Sequence, residues 1–321
     1  MLIDAIIPAH GKDVDTLEFC VDGIRENVAG INRIIVVSKD RLTDKAEFYS
    51  EESFPFSVRD VGDIVGFHRK TFNYFGSLIQ NTAPLIIPDL CRDVLVCDAD
   101  TVFLKPVEFV DGDVGLYNVS YDVPPKIISH PYFEHFEKLI PGLTKQTKYS
   151  GICHHMLMQQ DILQEIFDRV EGEHGEPFWK ADLSVTLQPY ASLSPKPPHG
   201  EAPLLRTTWE LYFNYVFKYH PDRCRIRKQN SILAYKGRTG VDGEVVHNIG
   251  SRTNLNGNVQ VIDRLEEAKF SFATFQDSFK HIIQRCKHLG YDAVTFQNHT
   301  RIGSQQHRKN FEGEISENFN I

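Results

Sequence analysis

Two aspartates one residue apart close an apolar run in Leu95-Val96-Cys97-Asp98-Ala99-Asp100-Thr101-Val102-Phe103-Leu104. A hard divalent cation such as Mn²⁺ or Mg²⁺ takes oxygen ligands, often one or two carboxylates completed by substrate phosphates. The D-x-D tripeptide alone marks a polar turn more often than a metal site. Its setting after a buried strand changes that, because ligands of open α/β sheets bind beyond the carboxyl ends of the strands. The small Ala99 between the two carboxylates leaves room for a ligand to approach.

Other residue types able to do chemistry are spread along the chain. Arg69 and Lys70 lie in Gly66-Phe67-His68-Arg69-Lys70, ahead of a helical pattern, and suit phosphate or sugar groups. His154 and His155 follow Ser150-Gly151-Ile152-Cys153, but no complementary cluster has the spacing of a structural zinc site. Glu210 stands three residues after Thr207, which reads equally as a capping box or as a carboxylate available for proton transfer. Asp182, in Trp179-Lys180-Ala181-Asp182, is a second such carboxylate.

These residues need elements to hold them. Leu2 to Ile7, Asn32 to Val37 and Asp93 to Cys97 read as buried strands, and Phe56 to Val58 as a further short one. Helical spacing covers Asp13 to Val28, Lys70 to Gln80, Gln159 to Val170, Phe178 to Leu187, Thr207 to Phe217 and Leu265 to His288, with a short helix over Thr43 to Tyr49. Short strands are expected at Val102 to Leu104 and Val114 to Tyr117, and near Arg225, Leu233 and Val245. The proline-rich stretch from Ser192 to Pro203 reads as a loop. Alternation of strand and helix in the first half predicts an α/β fold: a mostly parallel central sheet with helices on both faces.

The chain of 321 residues is long enough for a sizeable core, and its net charge of −8 argues against general nucleic-acid binding. No apolar run approaches the roughly 18–20 residues of a membrane span. The six scattered cysteines form no C-x-x-C pair and are expected reduced and buried. The N-terminal residues lack the pattern of a secretory signal, so a cytoplasmic location is expected.

Pro8-Ala9-His10 at the end of the first strand, the second strand, then Val96 to Leu104 at the end of the buried strand, together with Tyr149 to Met156 and Trp209 to Tyr215, carry a resemblance. The chain resembles the GT-A-fold, DXD-bearing glycosyltransferases over about residues 1 to 250. More narrowly, it is similar to an uncharacterised glycosyltransferase-like family of bacteria and large viruses. That resemblance implies a nucleotide-sugar donor, most often UDP-linked, an Mn²⁺ or Mg²⁺ ion and a carbohydrate or other hydroxyl acceptor. It places the base and ribose near Pro8, His10 and Asp40, and the diphosphate and metal at Asp98, Ala99 and Asp100, with Arg69 and Lys70 beside them. His247, in His247-Asn248-Ile249-Gly250, matches a late histidine that often completes the metal site. His154, His155 and Trp209 then line the sugar and acceptor pocket. Inverting transfer needs an acceptor-side carboxylate as base, and Glu210, or else Asp182, is the candidate; a retaining course stays open, because the H-x-x-G pattern at His247 also resembles retaining members.

The implied organisation is one catalytic domain over residues 1–295, with a donor half (1–104) and an acceptor half (105–295), followed by a polar tail at 296–321. Two alternatives remain at this stage. One is a haloacid-dehalogenase-type phosphatase using Asp98 as nucleophile, since Asp98-Ala99-Asp100-Thr101-Val102 also fits D-x-D-x-T/V. The other is a non-catalytic sugar-binding protein.

Overall fold

The structure is a computed structural model. It describes residues 1–66, 71–119, 131–189, 206, 208–227, 229–235, 245–246, 248–251, 269–270 and 275–297. The first half runs β1 (Ile3–Pro8), α1 (Val14–Asn27), β2 (Ile31–Ser38), β3 (Glu47–Ser50), α2 (Val58–Val65), α3 (Thr71–Ile86), β4 (Asp93–Cys97), β5 (Thr101–Phe103), β6 (Val110–Asp111) and β7 (Val114–Tyr117). There follow α4 (Pro131–Leu139), β8 (His155–Gln159), α5 (Gln160–His174), α6 (Phe178–Thr186), α7 (Thr208–Tyr219), β9 (Cys224–Ile226) and β10 (Ser231–Tyr235). The last elements are β11 (Val245–Val246), β12 (Asn248–Ser251), β13 (Lys269–Phe270), α8 (Phe275–His288) and β14 (Ala293–Gln297).

The central sheet has the strand order β3-β2-β1-β4-β8. Its first four strands are parallel, and β8 joins the edge of β4 antiparallel. Consecutive residues Ala5, Ile6 and Ile7 of β1, and Val94 to Cys97 of β4, are all buried. Side chains alternate between faces along a strand, so this pattern requires both faces to be covered. The expected α/β architecture, a mostly parallel sheet with helices on both faces, is therefore the observed one.

Three smaller sheets attach, in the orders β12-β10-β14-β5, β6-β7-β9 and β11-β13. The first matters most for the site. Strand β5 follows the Asp98-Ala99-Asp100 segment directly, pairs with β14, and lies against α1 at Gly23. A Cβ at Gly23 would sit 3.0 Å from the backbone of Phe103, so the close approach of α1 to β5 needs glycine there.

Several local expectations are corrected. Thr43 to Tyr49 is not a helix: Thr43 Oγ1 accepts from the Lys45 amide in a turn, and β3 follows as a parallel edge strand on β2. Phe56 to Val58 is not a strand, because Ser57 and Asp60 form a reciprocal capping box that starts α2 at Val58. The last helix begins at Phe275 rather than Leu265, and Lys269–Phe270 pairs with β11 instead. Helix α4 and strand β8 were not expected. Helix α3 continues past Gln80 through Pro84, whose carbonyl accepts from Gln160 Nε2. Phe296 and Gln297, expected to open the tail, belong to β14, and Phe296 is buried. The rest of that tail, and the proline-rich stretch from Ser192, lie outside the described residues. Of the cysteines, Cys20, Cys97 and Cys286 are buried, the other three are half-buried, and none is in a disulfide.

Candidate functional site

From β1 the chain builds β2 and β3 outward on one side, then crosses to place β4 on the other side of β1. The switch point thus lies between β1 and β4, where open α/β sheets take ligands in a crevice beyond the carboxyl ends of the strands. Pro8, at the end of β1, and the Asp98-Ala99-Asp100 turn, after β4, flank it. Strand β2 runs parallel with Val37 beside Pro8, so Asp40, two residues past the end of β2, lies on the same sheet edge. The structure therefore brings Pro8, His10, Asp40, Asp98, Ala99 and Asp100 to one edge.

The aspartate turn is held by its main chain. The Asp98 carbonyl accepts from the Thr101 amide at 3.1 Å and from the thiols of Cys20 and Cys97 at 3.5 Å each. The Asp100 carbonyl accepts from the Phe296 amide at 2.9 Å, joining the turn to β14. Ala99 is buried between them, whereas both aspartates are half-buried.

The Asp98 carboxylate is oriented by two donors. Gln80 Nε2, on α3, donates to Oδ1 at 2.7 Å, and His154 Nδ1 lies 3.0 Å from Oδ2. A carboxylate only accepts, so Nδ1 carries the proton. It has about four lone-pair sites, and two remain after these bonds. His154 itself has φ +61°, an uncommon conformation for a non-glycine residue, and its carbonyl accepts from the Asp98 amide at 2.9 Å.

His10 caps the short turn Gly11–Asp13: its Nδ1 accepts from the Lys12 amide at 3.2 Å while Asp13 accepts from the His10 amide. Asp40 is exposed, and its carbonyl accepts from Ser38 Oγ at 2.7 Å. Arg69, Lys70 and His247 lie outside the described residues. Among the described residues no group of three or more His, Cys, Asp and Glu is placed to hold a metal ion. Two carboxylates, one of them pre-oriented by neighbouring N–H groups, still suit a cation whose other ligands are substrate phosphates and water.

The remaining expected site residues are placed elsewhere. Glu210 is fully buried on α7. Its carboxylate accepts from Ser150 Oγ and from Asn214 Nδ2 (2.9 Å), and the Gly151 amide also bonds to it. Burial raises its pKa, partly offset by those hydrogen bonds. A fully buried carboxylate that already accepts these three hydrogen bonds does not fit an acceptor-side base. It ties α7 to the segment leading into β8. Asp182 is also buried, against the Arg206 guanidinium, with His135 Nε2 3.5 Å from its Oδ1 and 3.1 Å from its carbonyl. Burial lowers the pKa of His135, so the acid is balanced chiefly by Arg206. That arrangement is a core ion cluster, not a second base.

His155 points into the core. It packs edge-on to Phe103 and Phe109, its Nε2 accepts from Asn118 Nδ2 at 2.6 Å, and burial pushes its pKa down to about 3. Trp209 is buried in the main core, so it does not offer a face to a sugar. Of the two histidines, only His154 reaches the crevice, and it does so through Asp98 rather than as pocket lining. Gln80 was not foreseen. A glutamine in mid-helix carries no motif, and only the packing of α3 beside β4 reveals its role.

No family model matches this chain, and no curated protein matches it. Among solved structures it is similar to mouse xyloside xylosyltransferase 1 in its apo form, at 11% identity over 73% of this chain and 88% of that one, with a TM-score of 0.35. It is also similar to the galactosyltransferase LgtC in complex with donor and acceptor sugar analogs, at 12% identity over 56% of this chain and 68% of that one, with a TM-score of 0.31. Likenesses this distant carry no weight for the chemistry of the crevice.

Proposed function

We propose that the protein is a metal-dependent glycosyltransferase that takes a sugar from a nucleotide diphosphate sugar, UDP-linked, and passes it to a hydroxyl acceptor. The observation that carries this reading is the Asp98-Ala99-Asp100 turn beyond β4, at the switch point beside β1, with the Asp98 carboxylate held in one orientation. In this reading residues 1–297 form one GT-A-like catalytic unit, since β14 runs to Gln297, and the first 104 residues bind the donor. Pro8, His10 and Asp40 border the base and ribose, because they end β1 and β2 on the same edge.

Asp98 and Asp100 would hold Mn²⁺ or Mg²⁺, and His247 is retained as a proposed third ligand. When bound, the ion supplies positive charge to the diphosphate leaving group. Arg69 and Lys70 are proposed to add basic groups there. The chain's own part is to bind the donor along the sheet edge and keep Asp98 fixed. Inversion rested on Glu210 as base, and with Glu210 tied into the core no stereochemical course is assigned.

The test is a thermal-shift titration with UDP and UDP-sugars, with and without Mn²⁺, on wild type, Asp98→Asn and Asp100→Asn. Wild type should be stabilised by about 2.7 kcal/mol when ligand reaches about 100 times its Kd, and only with metal. Both variants should fold but lose the metal-dependent part. Metal-assisted UDP binding at wild-type affinity in both variants would sink the assignment. A phosphoryl group trapped on Asp98 would make the protein a phosphatase, and donor binding without turnover on any hydroxyl acceptor would make it a sugar-binding protein.

A further inference from the structure

We propose that His154 and Gln80 are positioning residues for Asp98, and that the buried Glu210 contact holds His154 in place for this role. The inference rests on the reading of Asp98 as a donor-site ligand and deepens it.

A free aspartate rotates broadly about its terminal torsion. Here that rotation is stopped from two sides, by Gln80 Nε2 from α3 on Oδ1 and by His154 Nδ1 from the start of β8 on Oδ2. Groups of this kind fix the direction of a ligating carboxylate while leaving its other lone pairs available. The His154 backbone is in the left-handed region, which a histidine keeps only where its surroundings impose it.

Those surroundings are visible. On one side, the Asp98 amide bonds the His154 carbonyl, and Cys97 pairs with His155 in the sheet. On the other, Ser150 and Gly151 are gripped by Glu210, and Ser150 Oγ also accepts from the Ile152 amide at 3.2 Å. Gly151 lies flush on α7: a Cβ there would stand 2.6 Å from the Phe213 Cβ. The two segments that look most unusual in the sequence, Tyr149 to Met156 and Trp209 to Tyr215, are thus one device. The second clamps the first, and the first presents an N–H to Asp98.

Substitutions at His154 separate its side chain from its backbone. Glycine accepts positive φ freely but has no ring; asparagine tolerates positive φ and still offers an N–H donor. Mn²⁺ binding in the presence of UDP would be followed by electron paramagnetic resonance for wild type, Gln80→Leu, His154→Gly and His154→Asn. His154→Gly should melt no lower than wild type, yet bind Mn²⁺ about 10–100-fold more weakly, the usual effect of losing an outer partner of a metal ligand. Gln80→Leu should show a loss of the same order, and His154→Asn should recover part of the affinity. Wild-type affinity in folded His154→Gly would overturn the proposal.

A wild type that binds no Mn²⁺ defeats the metal-dependent reading instead. The positioning contact is then judged in ligand-free protein by the ¹⁵N signal of His154 Nδ1. Asp98→Asn shifts that signal if the hydrogen bond is present, and an unmoved signal rejects it.

Discussion

Adjacent histidines show how little residue type says about role. His154, in left-handed backbone just before β8, and His155, the first residue of β8, differ by one position yet face different surroundings. One meets Asp98 at the crevice and the other enters the core. His155 Nε2 accepts from an amide N–H of Asn118, whose Oδ1 is occupied by Arg227 Nε and NH2 at 2.8 and 2.6 Å. Protonating that nitrogen would set donor against donor in a buried place. Burial comes first among the causes that push the His155 pKa down to about 3, with the Arg227 charge adding to it.

A stability consequence follows. An unfolded histidine takes up a proton near pH 6.5, whereas folded His155 stays neutral until about pH 3. Between these values the unfolded state binds more protons, so folding weakens as pH falls, by up to about 1.4 kcal/mol per unit. In an NMR titration the His155 ring signals should stay fixed from pH 7.5 to 4.5. Movement of the His155 signals with a midpoint near 6 would show the ring to be wet and the assignment wrong.

Between elements, the informative contact is α7 against the segment entering β8. Glycine is required at position 151 for lack of room, not for a special backbone angle, since Phe213 fills the space a methyl group would need. Gly151→Ala should cost about 1–3 kcal/mol by overpacking, read as a lower urea midpoint at unchanged slope. Combining it with Phe213→Ala should cost less than the sum of the two single changes, by more than about 0.5 kcal/mol. Strict additivity would mean that the two groups do not compete for the same space.

Across the whole molecule, Asp182 joins four parts of the chain. It sits on α6, faces Arg206 and His135 of α4, and Arg206 NH1 donates to the Tyr74 carbonyl of α3 at 3.2 Å. Removing the acid leaves a buried guanidinium without a counter-charge. Asp182→Asn should therefore cost about 3–5 kcal/mol, while Asp182→Leu combined with Arg206→Met should cost far less. Donor turnover per folded molecule should be unchanged in the double variant. A large loss of turnover there would return Asp182 to the reaction. Among the described residues no helix is long and apolar enough to cross a membrane.

What the sequence determined by itself is what depends on neighbours along the chain. The β-branched run of β2 and the continuous apolar run of β4 show as buried strands, the spacing of α1 and α5 shows their helices, and Asp98-Ala99-Asp100 shows as a carboxylate pair at a strand end. The Ser57 and Asp60 capping box was equally local and could have been read. Tertiary structure decided the rest. Edge pairing with β2 made Glu47–Ser50 a strand, pairing with β4 placed His155–Gln159 in the sheet, and pairing with β5 kept Phe296 in the fold. It also decided which polar residues face a crevice. Glu210, Asp182 and His154 carry equally plausible side chains for chemistry. The first two were enclosed in the core by partners distant in the chain, Ser150 and Gly151 for Glu210, Arg206 and His135 for Asp182, while the third was aimed at Asp98 from 56 positions away. Burial and partner choice depend on contacts between distant segments, and no local pattern of residue types records them.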